Sequence, residues 1–261
     1  MEVRQSGEVM ATQTALKITD DQKQQYREDG FFILRNVIPE EDLEMIRSTC
    51  DRLVALQEAE MDRQGVDQIK LSKRNKRYFV FLAYKEHPEL GEWLFSDLMA
   101  EICRATIGDE AMLFWEQFVV KGTSEEGSSF SWHQDSGYVA GPHKPYVNAW
   151  VPLDDVHEDN GTVYLLPYSV AGTRDRVEHT LDEKSGDKVG YFGDDPGVPV
   201  IAPAGSIAVF SSTCFHRSGP NKTSQMRRAY AAQFSPEPIL EPDGSLKGLA
   251  EKFLVDGKRV R

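Results

Sequence analysis

The run SWHQDSGY at Ser131–Tyr138 places a histidine and an aspartate two residues apart in a setting that reads as a strand. Successive side chains of a strand point to opposite faces, so His133 and Asp135 share one face while Trp132 and Gln134 share the other. Two ligands on one face can hold a metal together. An imidazole and a carboxylate, completed by a second histidine from a distant strand, make the three-ligand face that binds non-haem Fe(II) and leaves positions open. On these residues alone, a surface histidine and a turn aspartate before Ser136 and Gly137 stay open as the alternative.

The search for the second histidine covers His87, His143, His157, His179 and His216. His87 precedes Pro88 in a charged segment, and His157 and His179 lie among acids in loop-like sequence, so these three are expected at the surface. His216 differs, because it follows the apolar runs SIAVF and SSTCF and precedes turn-rich RSGPNKTSQMRR. Arg227 then opens the strand-like run RRAYAAQF. Alternation puts Arg227, Ala229, Ala231 and Gln233 on one face, opposite Arg228, Tyr230, Ala232 and Phe234. Small neighbours leave room beside Arg227, whose planar donor fork suits a ligand carboxylate. Arg228 reads as a partner in a salt bridge. In YVNAWVPL, Asn148, Trp150 and Pro152 share a face against Val147, Ala149 and Val151. An amide beside an indole fits a wet cavity better than a dry core, although plain strand packing is the competing account.

These residues need a scaffold, and the chain supplies one in two textures. Thr19 to Gly30 carries helix-cap signals at both ends, FFILRNVI reads as a buried strand, and residues 41–61 space their apolar residues as an amphipathic helix. Tyr78 to Tyr84 is strand-like, and residues 89–107 predict one further helix. After Gly108, short apolar runs alternate with Gly, Pro, Asn and Asp, which indicates a sandwich or barrel with the N-terminal helices laid against it. Residues 1–15 are polar and read as a disordered leader, leaving 16–261 as one domain. Residues 236–261 predict a small hairpin or a cover over one end, without evident chemistry.

The pattern resembles the phytanoyl-CoA dioxygenase (PhyH) family of Fe(II)- and 2-oxoglutarate-dependent oxygenases. The resemblance rests on WHQD at Trp132–Asp135, on NAWVPLDDVHEDNGTVYLLPYS at Asn148–Ser169 and on HRSGPNKTSQMRR at His216–Arg228, in that order. It implies a mainly β, double-stranded β-helix (a cupin-like jelly roll) and iron held by His133, Asp135 and His216. It further implies that Arg227, helped by Ser218, pairs with the distal carboxylate of 2-oxoglutarate, and that Asn148, Trp150, Gln117, Lys121 and Gln134 line the co-substrate pocket. Tyr138, Phe130 and Phe79 are candidates for the substrate wall, with core packing as their alternative. PYSVAG at Pro167–Gly172 departs from the PGSH of many relatives, which concerns a substrate-side loop. Asp135 stands where halogenating relatives carry a small residue, so hydroxylation is favoured. The implied reaction consumes 2-oxoglutarate and O2, releases succinate and CO2, and takes ascorbate as a supporting reductant.

Two other readings use the same scaffold: a cupin-like metal-dependent isomerase or hydrolase with no need of 2-oxoglutarate, and a non-catalytic binding protein. The net charge of −12 argues against nucleic-acid and anionic-membrane partners, leaving a small-molecule substrate and a monomer or weak homo-oligomer. The basic run Lys70–Arg77 is the local exception and reads as a solvated helix end or loop, while the acids Asp154, Asp155, Glu158 and Asp159 read as a solvated turn. Three widely spaced cysteines and no export or membrane-spanning signal point to the cytoplasm. Cys214, near His216, reads as a small buried thiol.

Overall fold

Thr19 accepts the Gln22 N–H and Gly30 turns left-handed (φ 89°), so the first capped segment forms helix α1 (Asp20–Asp29). The computed structural model describes residues 17–123, 128–183 and 186–261; the expected leader, residues 1–15, lies outside them. Strand β1 (Phe31–Leu34) and the amphipathic helix α2 (Glu40–Gln64) follow as read. The basic run forms no helix end; most of it lies in the turns, read as loop, that join short strands. It folds into a hairpin of β2 (Gln68–Ile69) and β3 (Ser72–Lys73) and opens β4 (Arg77–Phe81). Lys70 takes the left-handed turn (φ 51°), and Asp62 and Asp67 hold Arg74 at 2.6 and 2.9 Å, so acids at and just after the end of α2 tie the hairpin down.

The helix expected over residues 89–107 is broken into α3 (Pro88–Leu94) and α4 (Asp97–Thr106). Ser96 is extended and its hydroxyl accepts the Met99 N–H, which starts a new helix. The β region then runs through β5 (Ala111–Lys121), β6 (Phe130–His133), β7 (Val147–Pro152), β8 (Val163–Leu165), a short α5 (Tyr168–Ala171), β9 (Thr180–Leu181), β10 (Lys188–Val189), β11 (Val198–Pro199), β12 (Ile207–Ser211), β13 (His216–Ser218) and β14 (Arg227–Ser235). It closes on the hairpin β15 (Glu251–Val255) and β16 (Lys258–Arg259).

Every strand pair among the described residues is antiparallel. The larger sheet runs β1-β12-β7-β14-β5-β4-β3-β2, with β15 added to β5; the smaller runs β11-β8-β13-β6. From β5 to β8 and from β11 to β14, successive strands alternate between the two sheets. That crossing is the winding of a double-stranded β-helix, and it makes the fold a mainly β jelly roll.

Side-chain alternation decides the layers. Tyr230, Ala232 and Phe234 of β14 join Phe118 and Val120 of β5 and Val147, Ala149 and Val151 of β7 in a core shared with Ile46, Cys50, Leu90, Trp93 and Ile102 of the helices. Ala229 and Ala231 face the other way, toward Trp150, Val163, Leu165 and Phe210 between the sheets. The helices therefore cover one face of the larger sheet, and the space between the sheets is left for chemistry. Cys50, Cys103 and Cys214 are free and buried, and among the described residues no helix is long and apolar enough to cross a membrane.

Candidate metal centre and co-substrate pocket

His133 ends β6 and His216 begins β13, and the two are direct cross-strand partners. Their ring centroids lie 4.1 Å apart. Asp135 follows in the first position of a 3-10 turn (Asp135–Tyr138) instead of in the strand itself, but Gln134 stays extended (φ −107°, ψ 139°), so the alternation that pairs Asp135 with His133 survives. Asp135 Oδ1 stands 3.9 Å from His133 Nε2 and 3.7 Å from His216 Nε2. One ligand atom from each residue falls within 4.8 Å of the others, and no second group of this kind occurs among the described residues.

The hydrogen bonds behind this face settle which nitrogens are free. His133 Nδ1 lies 2.7 Å from the Ser131 carbonyl and His216 Nδ1 lies 3.2 Å from that of Cys214. A carbonyl only accepts, so each Nδ1 carries the proton and each Nε2 presents a lone pair to the common point. Burial, with the neighbouring His216 charge, pulls His133 down to about 4, and burial pulls His216 to about 4, so both rings are neutral at physiological pH. Burial raises Asp135, against the pull of His133 and the amides of Asn148 and Gln233 beside it. Gln233 Nε2 donates to Asp135 Oδ2 at 3.0 Å from a bulge in the β14–β5 pairing. Two neutral imidazoles and a carboxylate form a donor set suited to Fe(II).

These ligands open into a cavity of about 470 Å³ between the sheets, whose lining includes Arg227, Ser218, Asn148, Trp150 and Gln117. Arg227 is only 2% exposed, yet no carboxylate among the described residues reaches its guanidinium. Nη1 and Nη2 donate to the carbonyls of Val119 and Gly161, Trp150 faces the guanidinium at 5.5 Å, and Nε has no partner. Burial draws this arginine down to about 10. Ser218 Oγ and Asn148 Nδ2 in the same lining are also buried without partners. A buried cation with a free Nε, a hydroxyl and an amide nitrogen without partners, all around one cavity, fit a dicarboxylate ligand such as 2-oxoglutarate.

Tyr138, Phe130 and Phe79 line the cavity as well, and the Tyr138 ring stands edge-on to His133 at 5.6 Å. Two expected lining residues do not reach it. Gln134, with no exposed surface, spends its amide behind the metal face, donating to the Asp175 and Thr213 carbonyls and accepting the Val177 N–H. Lys121 is fully buried beside the pocket floor, where its ammonium donates to the Ser128 and Gly219 carbonyls; burial and the nearby Arg227 and Arg77 lower its pKa well below the usual lysine value. Arg228, on the helix-covered face of β14, is ion-paired with Asp154 and with Asp51 of α2.

His179 corrects the expectation of a surface residue. Its Nδ1–H donates to the Val177 carbonyl (3.0 Å), leaving Nε2 to accept the backbone N–H of Gln134 (2.8 Å) between the two metal ligands of β6 and its turn. Nothing in its acidic local sequence announces this contact. Gln233 was legible as a cavity-facing residue from alternation, but its bond to Asp135 needed the tertiary pairing.

The model of the phytanoyl-CoA dioxygenase (PhyH) family matches residues 26–229. The chain is 22% identical to the peroxisomal phytanoyl-CoA dioxygenase of Mus musculus, covering 83% of this chain and 68% of that one. It is 25% identical to an ectoine dioxygenase of Bordetella bronchiseptica, covering 78% and 71%. Among solved structures, the epimerase SnoN in complex with Fe3+, alpha ketoglutarate and nogalamycin RO superposes with a TM-score of 0.68 at 18% identity, over 92% of this chain and 94% of that one. The chain, with its three-ligand His-Asp-His face, belongs to the phytanoyl-CoA dioxygenase family of non-haem Fe(II)- and 2-oxoglutarate-dependent dioxygenases.

Proposed function

We propose that the protein hydroxylates a small organic substrate with Fe(II), 2-oxoglutarate and O2. One oxygen atom enters a substrate C–H bond, the other enters the succinate formed as 2-oxoglutarate loses CO2. The observation that carries this reading is Arg227, a buried guanidinium without a counter-ion among the described residues, in the cavity that also holds the His133, Asp135 and His216 face. Burying an unpaired cation costs several kcal/mol by order of magnitude, a cost that a bound carboxylate offsets.

In this reading His133 Nε2, His216 Nε2 and a carboxylate oxygen of Asp135 hold the iron, which supplies the oxidising power when bound. Arg227 Nε and Ser218 Oγ orient the distal carboxylate of 2-oxoglutarate, and Asn148 and Gln117 present amides along the same wall. Gln233 fixes the rotation of Asp135, leaving its other oxygen toward the histidines. Phe79, Phe130 and Tyr138 exclude water around the substrate. The carboxylate at position 135 supports hydroxylation over halogenation, since it takes the position a halide would need. Three free buried cysteines support a cytoplasmic setting, and we take the protein as a monomer or weak homo-oligomer acting on a small molecule.

Succinate formation from 2-oxoglutarate by protein supplied with Fe(II) and ascorbate tests the reading, alongside thermal stabilisation by 2-oxoglutarate without oxygen. Both effects are expected in the wild type and lost in Arg227→Ala. Normal turnover by Arg227→Ala would favour an isomerase or hydrolase with no use for 2-oxoglutarate, and failure to bind Fe(II) would favour a non-catalytic protein.

A further inference from the structure

Three cations stand side by side on one rung of the larger sheet. Arg77 of β4 is the cross-strand partner of Lys121 of β5, and Lys121 is the partner of Arg227 of β14. All three project from the cavity side of their strands, where like charges on neighbouring strands repel. Lys121 is occupied by two carbonyls, and Arg227 by two carbonyls and the co-substrate of the reading above. Arg77 is different. Its side chain lines the cavity, its guanidinium carbon lies 5.4 Å from the Phe130 ring centroid and 6.0 Å from that of Phe79, and its Nε is buried without a partner. Among the described residues it makes no ion pair. Asp187, the other acid beside Asp135 in the lining, has an oxygen engaged by the Ser131 N–H (3.0 Å).

The charges of 2-oxoglutarate do not account for this arginine. The molecule has two carboxylates, one placed at the metal and one at Arg227, so the part-exposed guanidinium of Arg77 is open to pair with another anion entering the cavity. The rings of Phe79 and Phe130 flank it, and Leu71, Phe81 and Trp115 add apolar wall to the same cavity. We infer that Arg77 is a substrate-recognition residue and that the substrate is an apolar, ring-bearing carboxylic acid whose carboxylate pairs with Arg77 while its body lies on these rings. This rests on the oxygenase reading and names the substrate class of the same site. Phe130, beside Arg77, precedes His133 by three residues of strand, so the anchored carboxylate sits roughly 10 Å from the metal face. A ring carried on a short alkyl chain spans that distance.

The test uses the full-length protein with Fe(II) and saturating 2-oxoglutarate under argon, titrated calorimetrically with 4-phenylbutyrate and with its neutral amide. A charge-assisted pair predicts that the acid binds about tenfold or more tightly than the amide in the wild type. In Arg77→Gln the two are expected to bind within about twofold, with partial recovery of the preference in Arg77→Lys. The affinity for 2-oxoglutarate, measured separately, is expected to persist in Arg77→Gln. Equal binding of acid and amide by the wild type, binding of neither, or an acid preference that survives Arg77→Gln would each overturn the inference. So would a loss of 2-oxoglutarate affinity in Arg77→Gln matching that of Arg227→Ala, which would make Arg77 a co-substrate residue. If the wild type itself gains no stability from 2-oxoglutarate, the oxygenase reading has failed before this inference is reached.

Discussion

The two faces of β14 are built on opposite terms. Toward the helices, Tyr230, Ala232 and Phe234 are fully buried among apolar side chains. Toward the cavity, Arg227 and Gln233 are almost as deeply buried, yet Arg227 keeps an unsatisfied nitrogen and Gln233 is committed to a metal ligand. Residues adjacent in sequence thus differ in purpose: one face supplies the free energy of folding, and the other holds groups that only a ligand satisfies. Burial alone does not distinguish them; the charge of Arg227 and the open cavity beside it and Gln233 do.

Breaking the cavity face is expected to damage function more than stability. Arg227→Met should lower kcat/KM for 2-oxoglutarate by about a thousandfold, as expected when one partner of a buried charge pair is removed. The same change should leave Tm equal or higher, because an unpaired buried cation is exchanged for an apolar side chain of similar length. A fall of several degrees in Tm would show that Arg227 is structural. On the opposite face, Phe234→Ala should cost about 3–4 kcal/mol in denaturant unfolding while turnover per folded molecule is kept.

Glu116 sharpens the comparison, because it is an acid on the helix-covered face. It accepts the Tyr84 N–H (3.0 Å) with one oxygen, and burial raises its pKa to about 7. The folded state therefore holds this proton where the unfolded chain has released it, and stability falls as pH rises from about 4.5 to about 7. The change should approach about 3 kcal/mol, read from unfolding midpoints across that window, and Glu116→Gln should flatten it. The smallest effect is expected at His179: replacing it with Ala strands the Gln134 N–H beside the metal face, should weaken Fe(II) binding about tenfold and should lower Tm by a few degrees. An unaltered iron affinity would reduce His179 to a packing residue.

Much of the site was legible before any tertiary structure. The alternation in RRAYAAQF and YVNAWVPL assigned Arg227, Gln233, Asn148 and Trp150 to one side correctly, because period-two geometry is local to a strand. The spacing of His133 and Asp135 worked for the same reason, even though Asp135 lies just past the end of its strand. Lys121 and Gln134 were misread because having the right strand position does not reveal which carbonyls wait nearby to absorb an ammonium or an amide. The break at Ser96 was missed because the apolar stripe continues across it, while the cap that interrupts the helix is one hydroxyl. The basic run concealed a hairpin whose stability comes from acids brought over by α2.

By itself, then, the sequence determined which side chains share a face, His133 with Asp135 and Arg227 with Gln233, since side-chain direction along a strand follows from backbone geometry; the roles of metal ligand and carboxylate anchor came from the family resemblance. Only the tertiary structure decided that His133 and His216 are cross-strand partners, that His179 supports the chain between two ligands, and that Arg77, Lys121 and Arg227 share a rung. Those facts depend on which strands pair and in what register, and pairing is set by contacts between segments far apart in the chain.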